Sequence, residues 1–129
     1  MVVSREYIVY KYTFPDGKVY IGRTHSDAKR LGKWEEYKSQ YVYRKMLEYD
    51  GQIQIEIVLR TTNIFKAFFY EYELISENYE NSYNAAVEDR WFDKALDYLG
   101  RYVHPTKVTY VQDKLNEFVD EIREVYYNE

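Results

Sequence analysis

One stretch near the start of the chain decides the fold: it reads IVYKYT over residues 8–13, FPDG over residues 14–17 and VYIGRT over residues 19–24. Apolar and β-favouring side chains alternate on both sides of a Pro-Asp-Gly turn, a pattern that predicts a β-hairpin. A hairpin fixes which side chains meet, because each residue of one strand has a definite partner on the other.

Three tyrosines of this hairpin should share one face. With a three-residue loop over residues 15–17, Tyr12 pairs with Tyr20, and Gly22 lies opposite Tyr10. We therefore expect Tyr10, Tyr12 and Tyr20 on one side of the sheet, with an open space beside a phenol where Gly22 has no side chain. The alternative is that these tyrosines, among the 17 in the chain, serve only as good strand formers.

Composition limits the classes of protein that fit. The chain has 129 residues, 46% hydrophobic and 31% charged, which predicts one globular domain with a single core. It has no cysteine and only two histidines, so disulfides and thiolate zinc sites are excluded and a histidine-rich metal site is not expected. No apolar run approaches the roughly 20 residues of a membrane span, and no signal-peptide core is seen. We expect no membrane association and a cytoplasmic location.

Charge is divided unequally along the chain. The net charge is −4, but residues 1–66 carry 12 Lys and Arg against 8 Asp and Glu, a net charge of +4. Residues 67–129 carry 6 against 14, a net charge of −8. A phosphate-binding surface would therefore lie in the first half, and the alternative is an ordinary solvated surface of mixed sign.

The remaining sequence predicts one more strand and several helices. Isoleucines alternate with more polar residues from Ile53 to Leu59, which predicts a strand with one buried face. Helices are expected from about Asp27, over residues 39–49 with Val42, Met46 and Leu47 inward, from Thr62 or Asn63, from Trp91 to Gly100, and behind a Thr109 and Gln112 capping box. The last helix carries an apolar stripe, which either folds back on its own domain or pairs with a second chain.

A carboxylate interrupts the apolar stripe of the helix after Asn63. The stripe consists of Ile64, Ala67, Phe68, Glu71, Leu74 and Ile75. Burying an unpaired charge is costly, so Glu71 must be protonated, paired or bound to a cation at the edge of a cleft. The alternative is an ordinary glutamate that reaches solvent or forms a salt bridge.

Together these segments resemble the GIY-YIG nuclease domain over roughly residues 7–86. The two sequence motifs that name the family stand here as Ile8-Val9-Tyr10 and Tyr20-Ile21-Gly22. Arg30 follows Tyr20 by ten residues, where the family has its catalytic arginine, and the helix around Glu71 matches the one with the metal-binding glutamate. Tyr83-Asn84 matches the closing asparagine. Ile8 replaces the usual glycine of the first motif.

The resemblance implies a role for each matched residue. Glu71 would supply an oxygen ligand to Mg²⁺ or Mn²⁺, and Arg30 would bind the scissile phosphate through its guanidinium group. Tyr10 or Tyr20 would deprotonate or orient the attacking water, and a phenol that acts as base needs nearby cations to lower its pKa.

Supporting roles fall to residues around these. Arg23, directly after Tyr-Ile-Gly, would be a second phosphate contact, and Asn84 would brace the site by hydrogen bonds. Trp34 stands where relatives often carry His or Tyr, four residues after Arg30. Tyr37 or His25 could take that role from another place in the sequence.

The sequence thus predicts an α+β fold, with a small antiparallel three-stranded sheet flanked by helices over residues 1–86. An acidic helical extension follows over residues 87–129, packed on this core or at a dimer interface. We expect a metal-dependent DNA endonuclease, with a monomer favoured over a homodimer and a protein partner as one source of DNA specificity. The alternative is a GIY-YIG-like binding or regulatory protein with little or no activity, which acts through a protein partner.

Overall fold

A three-stranded antiparallel sheet lies at the centre of the computed structural model, which describes residues 6–25, 30–85, 90–102 and 108–127. The first strand along the chain is central, in the order β2-β1-β3. The strands are β1 (Tyr7–Thr13), β2 (Val19–His25) and β3 (Gln54–Thr61). With the helices described below, this sheet confirms the predicted α+β architecture.

The hairpin of β1 and β2 has the predicted register. Tyr12 is paired with Tyr20, and Tyr10 is paired with Gly22. The three-residue loop ends at Gly17, whose φ of 87° lies in the left-handed region. A three-residue hairpin loop needs this conformation at its last position, and glycine adopts it without strain. The turn sequence therefore sets the register of the strands.

Strand β3 does not bury one face as the alternation of its residues predicts. Its pairing with β1 is shifted between Val9 and Tyr10, so that Val58 is an extra residue that forms a β-bulge. Ile55 and Ile57, before the bulge, are 45% and 36% exposed. A bulge in an edge strand changes which side chains reach the core, and the sequence period alone does not reveal it.

Four α-helices lie within the described residues. They are α1 (Tyr43–Glu48), α2 (Ile64–Asn78), α3 (Trp91–Tyr102) and α4 (Val108–Tyr127). A 3-10 helix, Trp34–Tyr37, precedes α1. Helix α2 begins as predicted, because the Asn63 side chain accepts hydrogen bonds from the amides of Phe65 and Lys66. None of the helices in the described parts of the chain combines the length and apolar character needed to cross a membrane.

Several predicted helix limits are wrong. Residues 26–29 lie outside the described residues, and residues 30–33 form a turn in which Gly32 has a φ of 74°. The helix predicted over residues 39–49 is shortened to α1, and Leu47 is 52% exposed. Helix α3 continues past Gly100, and Thr109 lies inside α4 instead of capping it. Tertiary packing overrides such local signals at helix ends.

Helices α3 and α4 pack with α2 on one side of the sheet. Phe118 of α4 is buried, with its ring centroid 5.4 Å from that of Phe69 and 5.7 Å from that of Trp91. Leu115 and Ile122 pack beside it. In its described part, the apolar stripe of the last helix is therefore covered by the same chain.

Polar contacts also join α4 to the start of α2. The side-chain amide of Asn63 donates to the carbonyl of Lys114 at 2.7 Å, while the same side chain caps α2. Lys66 Nζ lies 3.0 Å from Glu121 Oε2. These contacts fix the position of α4 along α2, since hydrogen bonds depend on geometry more strictly than apolar packing does.

Candidate functional site

The sheet face that carries Tyr10, Tyr12 and Tyr20, here called the tyrosine face, holds a set of hydrogen-bonded phenols. Tyr37, from the 3-10 helix, places its Oη 2.7 Å from that of Tyr10 and 2.6 Å from that of Tyr12. The side chains of Tyr10, Tyr12 and Tyr37 are almost completely buried. Because buried hydroxyls need partners, this network holds the 3-10 helix against the sheet.

Gly22 gives the Tyr10 ring its place. A Cβ atom added at Gly22 would overlap the Tyr10 hydroxyl and the ring carbons next to it. The open space expected beside a phenol is therefore filled by the phenol itself. Glycine is needed here for close approach, because the φ of Gly22 is not in the left-handed region.

Arg30 rests on the phenol network. Its carbonyl lies 3.4 Å from the hydroxyls of both Tyr12 and Tyr37, which can donate to it. Its guanidinium carbon lies 4.7 Å from the centre of the Tyr37 ring, within cation–π range. An Nη atom donates to the Glu36 carbonyl at 3.4 Å. Both backbone and side chain of Arg30 are thus held by Tyr37 and its neighbours.

The predicted general bases are neutral phenols at physiological pH. Burial raises the pKa of Tyr20 to about 12, although the charge of Arg30 lowers it. Burial also raises the pKa of Tyr10, against a lowering effect of its hydrogen bond to Tyr37. Tyr20 donates a hydrogen bond to Gln40 Oε1 at 2.7 Å. These geometries suit orientation of a water molecule better than removal of its proton.

Arg23 and Glu71 meet on the opposite face of the sheet, which packs against α2. Arg23 Nε lies 3.7 Å from Glu71 Oε1, and the guanidinium carbon lies 3.8 Å from the centre of the Phe68 ring. Both charged side chains are 23% exposed. The distance is that of an ion pair without a hydrogen bond, so each group can still take a further partner.

Burial raises the pKa of Glu71, while the charges of Arg23, Lys94 and Arg30 lower it. Glu71 in turn raises the pKa of Tyr20. Residues from the two faces of the sheet thus interact electrostatically around the β2 edge. The residues that the sequence predicts for one site are thus divided between the two sides of the sheet, with Tyr20 on the tyrosine face, Arg30 beside it and Glu71 on the opposite side.

A cavity of about 150 Å³ lies beside Glu71, between β2, α2 and α3. Its charged lining is Arg23, Glu71 and Lys94, and its aromatic lining includes Phe68 and Trp91. One water molecule takes about 30 Å³ in the liquid, so the cavity has room for a small ion with some hydrating water. Lys94 and Trp91 belong to α3, so the C-terminal helices form part of this wall.

Asn84 closes the outer edge of β2. Its Oδ1 accepts from the amide of Ile21 at 3.0 Å, and its Nδ2 donates to the Ile21 carbonyl at 2.8 Å. The amide of Tyr83 donates to the Val19 carbonyl at 2.8 Å. The side chain thus pairs with β2 as the backbone of a further strand would. The contact lies one residue from Gly22.

Tyr37 and His25 are the two residues that could take the role of the His or Tyr that relatives often carry at the position of Trp34. Tyr37 lies in the phenol network. His25 lies at the exposed end of β2. Trp34 turns its ring edge toward Tyr12, at 5.3 Å between centroids, and its Nε1 donates to Asp50 Oδ1 at 2.7 Å. Trp34 therefore packs against the network and links it to the end of α1.

Two nitrogens of the candidate site lack hydrogen-bond partners. Among the described residues, the Nε atoms of Arg23 and Arg30 are the buried side-chain nitrogen or oxygen atoms without such a partner. Buried polar groups nearly always find partners, so an orphan is a sign of strain or of a missing ligand. Both residues are ones that the sequence predicts to contact phosphate.

Glu71 alone of the described carboxylates lines the cavity. The described residues contain no group of three or more His, Asp or Glu side chains arranged to hold a metal ion. Mg²⁺ commonly uses one or two carboxylates and takes its other ligands from water and substrate phosphates. The residues fit such a metal only in company with an anion, because two cations lie beside the one carboxylate.

Sequence reasoning missed Lys94 and Gln40. Lys94 follows Trp91 by three residues, which puts it on the same side of α3 as an inward aromatic residue. That spacing is a sequence signal that Lys94 faces inward with Trp91. Gln40 lies in a turn between the 3-10 helix and α1, and nothing local in the sequence marks it as the partner of Tyr20.

Comparison with known proteins gave no match to any family model, curated protein or solved structure.

Proposed function

We propose that this chain is a divalent-metal-dependent endonuclease of the GIY-YIG type that hydrolyses phosphodiester bonds in DNA. The observation that carries the proposal is the pair of buried arginine Nε atoms without hydrogen-bond partners, with Arg23 on the α2 side of the sheet and Arg30 beside the tyrosine face. A DNA phosphate would meet two guanidinium groups that aromatic rings hold in place, Arg23 on Phe68 and Arg30 on Tyr37.

Each residue then has a role set by its surroundings. Arg30, held by Tyr37, would bind the scissile phosphate and stabilise the charge that develops on it. Tyr20, as a neutral phenol, would hydrogen-bond and orient the attacking water, while Tyr10, whose hydroxyl is buried against that of Tyr37, would support the tyrosine face. Glu71 would hold Mg²⁺ or Mn²⁺, and the metal, when bound, would lower the pKa of a coordinated water and neutralise phosphate charge.

The first test is incubation of the full chain with plasmid DNA and Mg²⁺ or Mn²⁺, with and without EDTA. We expect cleavage that EDTA stops. Glu71→Ala should reduce the rate by at least about 100-fold, because loss of an outer-shell partner of a metal ligand already costs about 10–100-fold, while circular dichroism stays that of a folded protein.

The matched control is Glu77→Ala, an exposed glutamate on the same helix, which should cut at the wild-type rate. Cleavage by Glu71→Ala near the wild-type rate would remove the metal-ligand role. A folded wild-type chain that never cuts would favour the alternative, a GIY-YIG-like binding or regulatory protein that acts through a protein partner.

A further inference from the structure

The Tyr20 hydroxyl gives its only hydrogen to Gln40. The donated hydrogen bond reaches Gln40 Oε1 at 2.7 Å, and a neutral phenol carries a single O–H group. Burial raises the pKa of Tyr20 to about 12, so the phenol keeps this hydrogen at physiological pH. No described residue donates a hydrogen bond to the Tyr20 oxygen. That oxygen can therefore serve a further partner only as an acceptor.

The backbone of Gln40 is fixed by hydrogen bonds on both sides. Its amide donates to the carbonyl of Tyr37 at 2.8 Å, and its carbonyl accepts from the amide of Tyr43 at 3.1 Å. Gln40 thus lies in a hydrogen-bonded turn between the 3-10 helix and α1. Because Tyr37 belongs to the phenol network, the segment that completes this network also places the Gln40 side chain.

The Tyr20 ring is held as well. Its centroid lies 6.0 Å from that of Tyr12, with the rings stacked, and 5.9 Å from that of Tyr37, with the rings edge to face. The guanidinium carbon of Arg30 lies 4.7 Å from the centre of the same Tyr37 ring. Since both the ring and its acceptor are fixed, the direction of the O–H bond is fixed, and with it the direction of the lone pairs.

The direction of this bond matters to a hydrolytic reaction. A water that attacks phosphorus needs a free lone pair aimed at the phosphorus atom. A phenol that donated to the water would occupy one of its lone pairs, whereas a phenol that accepts holds one of its hydrogens and leaves the lone pairs free. Tyr20 can act only as an acceptor if its own hydrogen is bound elsewhere, and Gln40 Oε1 binds it.

We propose that Gln40 is a positioning residue for phosphodiester hydrolysis: it takes the Tyr20 hydrogen, so that the Tyr20 oxygen accepts a hydrogen bond from the attacking water. This rests on the proposed nuclease function and adds to it a residue outside the motifs that carry the family resemblance. In this role Gln40 transfers no proton and contacts no substrate, because it acts through Tyr20.

The first test is a double-mutant cycle of stability, measured by urea denaturation of the full chain without metal. Gln40→Met keeps the length of the side chain but removes the acceptor, and Tyr20→Phe keeps the ring but removes the hydroxyl. We expect each single change to shift the unfolding equilibrium about tenfold, and the double change to shift it no further than Tyr20→Phe alone. Gln52→Met, at an exposed glutamine, is the matched control and should unfold as wild type does. Additive effects of the two changes would overturn the proposal.

The second test separates positioning from a structural role. At saturating DNA with Mg²⁺, Gln40→Met should slow single-turnover cleavage about tenfold while DNA affinity stays that of the wild type. In the Tyr20→Phe background the same change should slow cleavage no further, since the hydroxyl that Gln40 orients is gone. Equal rates in wild type and Gln40→Met, or a tenfold loss that persists in the Tyr20→Phe background, would overturn the positioning role.

The two tests fail separately. The stability cycle contains no metal and measures no cleavage, so its failure removes the contact between Gln40 and Tyr20 and leaves the nuclease proposal in place. A chain that shows the coupling but never cuts would refute the nuclease, and Gln40 would then only hold the Tyr20 hydroxyl in the fold.

Discussion

At the scale of single residues, the site holds its charged groups at a cost to stability. A buried donor without a partner costs about 1–3 kcal/mol, and the chain carries one such nitrogen on Arg23 and one on Arg30. Aromatic rings cover both guanidinium groups, Phe68 the first and Tyr37 the second. This packing holds the arginines in place and leaves both Nε atoms without a hydrogen bond.

Replacement of Arg30 should therefore affect chemistry more than binding. We expect Arg30→Ala to slow single-turnover cleavage by about 100-fold at saturating DNA, and Arg30→Lys to slow it less, because lysine keeps the charge but loses the planar guanidinium. Arg44→Ala, at an exposed position on α1, is the control and should cut normally. An unchanged single-turnover rate with weakened affinity would make Arg30 a binding residue only.

Gly22 should tolerate no side chain. Gly22→Ala puts a methyl group into the Tyr10 ring, and such overpacking lowers the free energy of unfolding by about 1–3 kcal/mol. Urea denaturation measures the loss. In a double-mutant cycle with Tyr10→Leu, the two substitutions should be strongly non-additive, since removal of the ring makes room for the methyl group. Additive effects would show that the two residues do not compete for the same space.

At the scale of elements, α2 joins the core to the site. Its inward side is apolar, with Phe65, Ala67 and Phe68 buried, and Glu71 continues that side toward the cavity. A helix that buries a carboxylate for function gives up stability that an apolar or neutral residue would restore. Under the proposed function, the position of Glu71 marks where the demands of folding and of metal binding differ.

This conflict should be visible in the pH dependence of stability. Burial raises the pKa of Glu71, so the folded state binds the proton more tightly than the unfolded state. Glu71 then costs stability as pH rises from the ordinary carboxyl pKa of about 4.3 through the raised value. We expect Glu71→Gln to melt at a higher temperature than wild type at pH 7, with the difference shrinking toward pH 4. A difference that grows toward pH 4 would contradict the raised pKa.

Elements formed by local signals could be predicted from the sequence, and contacts across the fold could not. The loop ending in Gly17 set the register of the hairpin, and Asn63 set the start of α2, because each signal acts within a few residues. The bulge at Val58 depends on how β3 meets β1, and the place of Tyr37 depends on partners 25 and 27 residues away. The spacing from Trp91 puts Lys94 on the inward side of α3, but the residues of α2 that it meets depend on how α3 packs on α2.

At the scale of the whole molecule, α3 and α4 pack against α2, the helix that carries Glu71. Phe118 inserts between aromatic residues of α2 and α3, and Lys66 pairs with Glu121. The acidic helices thus shield the core while one lysine of α3 faces the cavity. With a net charge of −4, the chain should bind DNA weakly away from the site, and salt should weaken that binding further.

This packing favours a monomer. We expect the wild type to sediment as a monomer at micromolar concentration, and Leu115→Glu plus Ile122→Glu to lower the free energy of unfolding by at least about 3 kcal/mol, because two charges enter apolar packing. The control pair, Gln112→Glu plus Asn116→Glu, lies on the exposed side of α4 and should leave stability nearly unchanged. A wild-type dimer that the first pair converts to a monomer of unchanged stability would show instead that α4 pairs with a second chain.

The two hydrogen bonds between Asn84 and Ile21 join positions that are 63 residues apart, and this separation orders the folding of the chain. The β1–β2 hairpin is local and can form early, whereas its outer edge stays open until β3 and α2 have folded and returned residue 84 to it. A chain still being synthesised therefore presents an unpaired strand edge, the surface by which strands of separate chains associate. Slow or paused translation before residue 84 should lengthen that exposure, and with it the time in which nascent chains can pair with one another.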